Sequence, residues 1–338
     1  MRLAIATDAW DPQVNGVMRS LKETAAALPA LGIEPHFVTP EGLPSLPLPT
    51  YPDIRVAIGA GPAVAERLDR LAPEAVHVAT EGTIGHAARR WCLVHGLPFT
   101  TSYHTRYPEY VRARAPIPEA WTYAWLRRFH EAAARTLVPT ETMRRELAAW
   151  GFANLAVWAR GVDTTLFRPR PGIAFDYPRP LMLTVGRLAV EKNVEAFLSL
   201  DLSGTKVVVG DGPQRAELER RFPGAVFLGM KTGEALAEIY AAADVFVFTS
   251  RTDTYGNVMQ EALASGVPVA AFPVPGPLDV LTEAGIGALD DDLAVAIRQA
   301  LTLDGARCRA VAEGRTWAAA AAQFAAALAP FSRRERAA

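Results

Sequence analysis

Short β-rich runs alternate with longer helical segments along almost the whole 338-residue chain, in two series. The first series contains RLAIATD (2–8), EPHFVTP (34–40), EAVHVAT (74–80) and LPFTTSY (97–103), and the second contains LMLTVG, TKVVVGDG, AVFLG, DVFVFTS and VPVAAF. Such alternation predicts parallel sheets wrapped by helices. Prolines and a glycine recur in residues 163–180, between the two series, and they predict a linker there.

The predicted fold is therefore α/β, with two doubly wound, Rossmann-like domains that face a central cleft. The first domain is predicted over residues 1–163, the linker over 164–180 and the second domain over 181–314. The alanine-rich residues 315–338 predict a final helix.

Composition excludes several classes of protein. The net charge of -1 argues against bulk binding of nucleic acid. Cys92 and Cys308 lack metal-ligand spacing, which favours a reducing cytoplasm without disulfides. Because no apolar run approaches the roughly 20 residues that span a bilayer, we expect a cytoplasmic protein, at most peripheral on the inner face of the cytoplasmic membrane. Nothing in the sequence indicates an obligate protein partner.

Two cations follow the strand LMLTVG, in the stretch GRLAVEKN. Arg187 offers a planar fork of donors and Lys192 a compact charge, and with Gly186 beside them they suit an anion at the carboxyl end of a strand. The alternative is a solvated helix start in which Lys192 pairs with Glu191 or Glu195. The next strand end, GDGP at 210–213, matches only part of a dinucleotide fingerprint and is a weak signal.

A third loop, SRTDTYGNVMQEALASG (250–266), follows the strand DVFVFTS. If a helix begins near Asn257, the backbone amides of Tyr255, Gly256, Asn257 and Val258 suit a phosphate at its positive end. Glu261 lies about one turn further on, where a carboxylate suits the paired hydroxyls of a ribose. The alternative for Glu261 is an ordinary exposed helix glutamate.

These stretches, in this order, resemble the nucleotide-sugar domain of family-4 retaining glycosyltransferases, which have the GT-B fold. The segments DAWDPQVNGVMRSLKETAAAL, SYHTRYPEY and RGVDTTLFRP are also similar to family stretches, so the resemblance covers nearly the whole chain. Within the family, the sequences of these motifs are most similar to those of the branch that contains sulfoquinovosyldiacylglycerol synthase, bacterial glycolipid synthases and mannosyltransferases. In related enzymes the last helix crosses back to the first domain.

The resemblance implies roles for individual residues on the donor side. Arg187 and Lys192 would hold the diphosphate, and Glu261 the ribose. His104 would face the donor sugar, although a strand-end histidine also has a purely structural reading. The implied backbone contacts are the amides of residues 255–258 at the distal phosphate, residues 227–229, including Gly229, beside the base, and Gly16 at the sugar phosphate.

The family signature has two glutamates eight positions apart, and this chain has Asp253 in the first place and Glu261 in the second. Aspartate is shorter by one methylene, about 1.5 Å of reach. We therefore expect Asp253 to meet a sugar hydroxyl only after a small adjustment of its loop.

No metal or other cofactor is expected. Breaking the bond to the donor adds negative charge to the leaving diphosphate, and Arg187, Lys192 and the helix start are suited to stabilise it. The acidic run at Asp290, Asp291 and Asp292 could mimic a metal-binding Asp-x-Asp motif, but acidic residues that open a helix are ordinary caps. No carboxylate nucleophile is evident, and the resemblance implies a front-face mechanism in which the leaving phosphate helps to deprotonate the acceptor.

On the acceptor side the candidates are Glu81, Tyr103 and Arg106. Residues 106–128 hold five arginines against two glutamates, interleaved with tyrosine and tryptophan. This pattern suits an anionic bilayer surface, where each basic residue contributes roughly 1 kcal/mol. A sugar surface, a nucleic-acid surface or a domain-packing helix would fit it too.

The primary hypothesis is a retaining transferase that moves a hexosyl unit from a nucleotide diphosphate sugar, with a UDP-sugar favoured, to a lipid such as diacylglycerol. The alternative within the class is a GDP-mannose-dependent mannosyltransferase acting on a phosphatidylinositol-like or polysaccharide acceptor. A GT-B nucleotide-sugar epimerase and a Rossmann oxidoreductase are alternatives from other classes.

Overall fold

The computed structural model of the chain describes residues 1–10, 16–48, 51–112, 116–173 and 175–332. The chain forms two compact units. The first unit contains residues 1–159 and 317–338, and the second contains residues 160–316. The sequence predicts the domain and linker boundaries at residues 163, 180 and 314.

The first unit is an alternating set of strands and helices. Its strands are β1 (Arg2–Ala6), β2 (Glu34–Val38), β3 (Ser45–Leu48), β4 (Tyr51–Ala57), β5 (Ala75–Val78), β6 (Thr100–Ser102), β7 (Arg135–Val138) and β8 (Leu155–Val157). Its helices before residue 160 are α1 (Gly16–Ala27), α2 (Ala60–Leu71), α3 (Thr83–Val94), α4 (Tyr107–Arg112), α5 (Glu119–His130) and α6 (Glu141–Ala149).

Six of these strands form one parallel sheet in the order β2-β1-β5-β6-β7-β8. Strands β3 and β4 form a separate antiparallel hairpin, which the sequence did not predict. Residues alternate between the two faces of β1: Leu3 and Ile5 pack in one buried cluster, and Ala4 and Ala6 pack in another. Helices therefore cover both faces of the sheet, as the near-continuous apolar strands predict.

The second unit repeats this architecture. Its strands are β9 (Leu181–Val185), β10 (Thr205–Val209), β11 (Val226–Phe227), β12 (Val245–Phe248), β13 (Val269–Ala271) and β14 (Gly287–Leu289). Its helices are α7 (Val194–Leu198), α8 (Arg215–Arg221), α9 (Gly233–Ala242), α10 (Asn257–Ala264), α11 (Pro275–Val280), α12 (Leu293–Ala300) and α13 (Gly305–Glu313).

The sheet of the second unit is parallel, in the order β11-β10-β9-β12-β13-β14. The chain runs outward from β9 through β10 to β11, and then returns to place β12 on the other side of β9. The strand order therefore reverses at β9 and β12, and loops at such a switch point are where open α/β sheets bind ligands.

A final helix, α14 (Trp317–Ala327), belongs to the first unit. It packs against α1 and β7, and the carbonyl of Ala326 accepts a hydrogen bond of 2.8 Å from the Arg135 guanidinium. Phe324 is fully buried on this helix, with its ring centroid 4.8 Å from those of Trp158 and His77. The return of the chain thus completes the hydrophobic core of the first unit.

We expect Phe324→Ala to lower the free energy of unfolding by about 3 to 5 kcal/mol, because a buried aromatic side chain is lost and a cavity remains. Chemical denaturation of the full chain, followed by near-UV circular dichroism, measures the change. Ala322→Gln, at an exposed position of the same helix, should change the stability by less than about 0.5 kcal/mol. Equal losses in the two variants would contradict the placement of Phe324 in the core.

Candidate functional site

Glycine backbone brings the carboxyl ends of β9, β10 and β11 into direct contact. The Gly186 amide donates to the Val209 carbonyl, and the Gly210 amide donates to the Gly229 carbonyl, each at 2.9 Å. A Cβ atom on Gly210, where φ is +137°, would lie only 1.8 Å from the Gly186 carbonyl oxygen. No other residue fits at position 210, so two predicted site glycines, Gly186 and Gly229, meet through it.

Lys192 closes a 3-10 turn, Val190–Lys192, in the loop after β9. Its Nζ lies 2.5 and 2.8 Å from the two carboxylate oxygens of Asp253. Glu195, which the sequence offers as an alternative surface partner of Lys192, forms a salt bridge with Arg221 instead. Lys192 and Asp253, predicted separately, are therefore in contact, and Arg187 lies partly buried in the same loop.

Hydrogen bonds also tie this loop to the loop after β12. The Thr249 hydroxyl donates to the Lys192 carbonyl at 2.5 Å, and the Asn193 amide group donates to the Thr249 carbonyl at 3.3 Å. The Ser250 hydroxyl donates to the Glu191 carbonyl at 3.3 Å. The two loops at the switch point of the sheet thus form one connected structure.

Helix α10 begins at Asn257, as predicted, and Gly256 precedes it in the left-handed region with φ +85°. A Cβ at Gly256 would lie 2.8 Å from the Phe248 ring, so a side chain would be strained by both conformation and space. The Asn257 and Val258 amides lie in the first turn, where a helix leaves backbone donors without intrahelical partners. The start of this eight-residue helix therefore has the geometry expected for a phosphate site.

The Tyr255 side chain is buried beneath this helix start. Its hydroxyl accepts from the Gln260 amide group at 2.6 Å and donates to the Arg160 carbonyl at 3.4 Å. Burial raises the pKa of Tyr255. Its phenol is thus part of the packing, and any contact with a donor would come from its backbone, as the sequence analysis expects.

Glu261 lies in the second turn of α10 and is only 2% exposed. The reading of Glu261 as an ordinary exposed helix glutamate is therefore wrong. A carboxylate is seldom buried without partners or a task, because its desolvation is costly. Its burial in the helix that begins at the candidate phosphate site is consistent with the expected binding role.

Arg160 contacts Tyr255 at the candidate site and is not among the residues that the sequence pattern indicates. It is 5% exposed, and burial lowers the pKa of its guanidinium to about 10. It opens the second unit, and its carbonyl receives the Tyr255 hydroxyl. The only signal in the sequence was its place in RGVDTTLFRP, a stretch that carried the resemblance.

In the first unit, the Asp8 carboxylate caps helix α3. One oxygen accepts from the Ile84 amide at 2.8 Å, and the other accepts from the Gly85 amide at 3.2 Å and the Thr80 hydroxyl at 2.8 Å. A Cβ at Gly82 would lie 2.3 Å from the Asp8 carboxyl carbon. Asp8 thus fixes the turn that carries Glu81, a role that the sequence analysis did not foresee.

Glu81 and Tyr103, two acceptor-side candidates, both lie beside His130. The Glu81 carboxylate is 3.2 Å from His130 Nε2, and both side chains are buried. His130 Nδ1 is 2.9 Å from the Thr101 hydroxyl. The Tyr103 ring centroid is 6.2 Å from that of His130, and burial raises the pKa of Tyr103. His130 lies far from both in sequence, so no local pattern indicated it.

Arg106, the third acceptor-side candidate, is held by carboxylates. Its guanidinium donates to Glu109 at 2.8 Å and also pairs with Glu146. The Tyr123 hydroxyl donates to the same Glu109 oxygen at 2.9 Å. Arg106 is mostly buried, so this network fixes α4 against α5 and α6.

His104 follows β6 and is half-buried, with its ring centroid 5.8 Å from that of Trp158. Gly16 is the first residue of α1, and its carbonyl accepts from the Ser20 hydroxyl at 2.8 Å. The Val14 and Asn15 of the predicted turn lie outside the described residues.

The basic and aromatic segment spans α4 and α5. Trp121 and Trp125, one turn apart on α5, are strongly exposed, as is Arg112. Tyr123 is instead buried, with its ring stacked on Trp150 at 4.2 Å. Arg114 lies outside the described residues. Two tryptophans with charged neighbours thus form one exposed face of this unit.

Across the described ranges, no cluster of three or more His, Cys, Asp or Glu side chains has a geometry that could hold a metal ion. Asp292 caps α12 by accepting from the Ala294 amide at 2.9 Å, which is the capping role preferred for the acidic run. Burial raises the pKa of Cys92 and Cys308 to about 12, so both thiols stay protonated near neutrality. Among the residues described, no helix is long and apolar enough to cross a membrane.

Two solved structures share this fold at low sequence identity. Sucrose-phosphate synthase from Thermosynechococcus elongatus superposes with a TM-score of 0.77 at 20% identity, covering 96% of this chain and 97% of that one. Anabaena HepE in complex with UDP-glucose gives a TM-score of 0.70 at 16% identity, covering 96% and 98%. The two parallel-sheet units therefore define a GT-B glycosyltransferase fold.

Sequence comparison places the chain more narrowly. Residues 14–166 match Glycosyltransferase Family 4, and residues 179–303 match Glycosyl transferases group 1. A GDP-mannose-dependent alpha-mannosyltransferase of Mycobacterium tuberculosis (strain CDC 1551 / Oshkosh) is 34% identical over 86% of this chain and 83% of its own length. A sulfoquinovosyl transferase of Arabidopsis thaliana is 32% identical over 72% of this chain and 51% of its own length. The chain belongs to glycosyltransferase family 4.

Proposed function

We propose that this chain is a retaining, metal-independent hexosyltransferase that moves a sugar from a nucleotide diphosphate sugar to a hydroxyl of a membrane lipid such as diacylglycerol. The observation that carries the proposal is the connected pair of loops at the switch point, where Lys192 meets Asp253 ahead of the buried Glu261. These residues have the charges that a sugar, a diphosphate and a ribose require.

Charge stabilisation on the leaving group is the main catalytic effect of this site. Lys192 and Arg187 offset the negative charge that develops on the diphosphate, and the start of α10 adds backbone donors and a helix dipole. The family resemblance assigns His104, in the first unit, to the donor sugar. The leaving phosphate then helps to deprotonate the acceptor hydroxyl on the same face, which retains the anomeric configuration.

The names of the relatives support one donor, GDP-mannose, and one class of acceptor, a lipid. The 34% identical mycobacterial relative, and two further relatives at 34% and 30% identity over 86% of this chain, are named as GDP-mannose-dependent alpha-mannosyltransferases. An alpha-monoglucosyldiacylglycerol synthase of Streptococcus pneumoniae is 27% identical over 89% of this chain, and its name supports the lipid acceptor. GDP-mannose is therefore the second candidate donor, beside the UDP-hexose expected from the sequence.

We expect either UDP and UDP-hexoses or GDP and GDP-mannose to raise the thermal unfolding midpoint of the protein. A ligand at 100 times its Kd adds about 2.7 kcal/mol of stability. Glu261→Gln should lose most of that stabilisation, because the neutral amide accepts hydrogen bonds from ribose hydroxyls less strongly. Differential scanning fluorimetry over a panel of UDP-, GDP- and ADP-sugars measures these shifts.

Glu238→Gln is the matched control for this panel, since it changes an exposed glutamate on α9 of the same unit. It should keep the nucleotide-induced shift of the parent chain. Equal shifts in the parent and Glu261→Gln would refute the ribose assignment, and the absence of any shift with all three bases would refute the proposed function.

We expect sugar transfer to survive chelation. Fixed cations and helix donors replace the divalent ion, so millimolar EDTA should leave the initial rate within about twofold of the untreated value. The measurement is the rate of release of nucleoside diphosphate in the presence of lipid acceptor. Loss of activity in EDTA with recovery upon added Mg²⁺ or Mn²⁺ would show that the proposed metal independence is wrong.

The exposed face of α5 is the proposed contact with an anionic bilayer. Trp121 is 72% exposed and Trp125 is 50% exposed, and the Arg127 and Arg128 side chains lie on the same helix. Tryptophan rings favour the headgroup region, and arginines favour anionic lipids. The face would place the acceptor-side residues of the first unit close to a lipid hydroxyl.

We expect the protein to co-sediment with vesicles that contain anionic phosphatidylglycerol, and much less with neutral phosphatidylcholine vesicles. A Trp121→Ser and Trp125→Ser double variant should bind the anionic vesicles at least about tenfold more weakly, because two aromatic anchors are lost. Val94→Ser removes an equally exposed apolar side chain, 72%, elsewhere in the unit and should bind normally. If the parent chain co-sediments with neither type of vesicle, the proposed contact with an anionic bilayer is wrong.

A further inference from the structure

The ion pair between Lys192 and Asp253 joins the ends of two neighbouring strands. Lys192 follows β9 and Asp253 follows β12, and these strands are paired in the sheet. The ammonium contacts both carboxylate oxygens, at 2.5 and 2.8 Å. The two side chains are 27% and 15% exposed, so the pair is sheltered and still accessible to a solute.

The loops that carry the pair are held together independently of it. The hydrogen bonds between Thr249 and Lys192, and between Asn193 and Thr249, join backbone close to both charged residues. Asn193 also takes a left-handed conformation, with φ +53°, directly after the lysine. Because these hydrogen bonds already hold the two loops together, forming the ion pair requires ordering of the two side chains and no further ordering of the loops.

A diphosphate bound to Lys192 would compete with this carboxylate. Lysine presents a compact single charge, and two anions close to it repel each other. When the diphosphate carries a sugar, the displaced carboxylate can accept hydrogen bonds from sugar hydroxyls. A nucleoside diphosphate without a sugar offers the carboxylate no such partner. The return of Asp253 to Lys192 therefore opposes binding of the nucleoside diphosphate.

We propose that Asp253 is an exchangeable counterion of Lys192, which selectively weakens binding of the nucleoside diphosphate product relative to the sugar-bearing donor. This inference rests on the proposed function. It gives Asp253 a task in specificity and product release in addition to its contact with the sugar.

Isothermal titration calorimetry with UDP, GDP, UDP-glucose and GDP-mannose tests the proposal. For whichever base the parent chain binds, Asp253→Asn should bind the nucleoside diphosphate about three- to fivefold more tightly than the parent, the upper part of the range expected for loss of a competing ion pair. Its affinity for the corresponding nucleotide sugar should rise less or fall. In the Lys192→Ala background, the same substitution should change the diphosphate Kd by less than about twofold.

Glu195→Gln is the control for overall charge, because it removes one negative charge from another ion pair of the same unit, three residues from Lys192. It should bind the diphosphate as the parent does. Unchanged or weaker diphosphate binding by Asp253→Asn, or equal tightening in Glu195→Gln or in the Lys192→Ala background, would overturn the inference and leave the proposed function standing. If the parent chain binds neither nucleotide, both fail.

Discussion

The close approach of Gly210 to the Gly186 carbonyl is the constraint on which the donor-side structure depends. At this distance, where an added Cβ would lie 1.8 Å from the oxygen, only glycine lets the two strand ends stay in contact. The contact holds the loop after β9 at the edge of the sheet, and from there Lys192 reaches the loop after β12. Lys192 and Asp253 therefore meet because Gly210 has no side chain and lets the backbone of the two strand ends pack closely.

At this edge of the second sheet, backbone donors and carboxylates follow one another in a definite order along α10 and the loop before it. The helix start offers backbone donors to an anion, the buried Glu261 lies one turn further in, and Asp253 stands before the helix beside a cation. A carboxylate within the helix start itself would compete with a bound phosphate. The residues there are instead Gly256, Asn257 and Val258, which are uncharged.

Much of this could be predicted from the sequence, since strand runs, their order and the start of α10 at Asn257 follow from local patterns. The resemblance supplied the family, which the comparisons confirm. Tertiary contacts were not accessible in this way. The burial of Glu261 depends on what packs over α10, and the pairing of Glu81 with His130 joins positions 49 residues apart. The β3 and β4 hairpin was also missed, because its strands carry prolines that argue against a sheet.

Asp8, Glu81 and Asp253 differ in the hydrogen-bond partners that hold each carboxylate. Asp8 accepts hydrogen bonds from two backbone amides and from threonine hydroxyls, and Glu81 is buried against His130. Removing these carboxylates from their partners would leave buried donors unpaired, so they are fixed parts of the first unit. Asp253 has one strong partner and a side chain that solvent reaches, and its loop is held by other hydrogen bonds. Of these three carboxylates, it is therefore the one that can exchange its partner without cost to the fold.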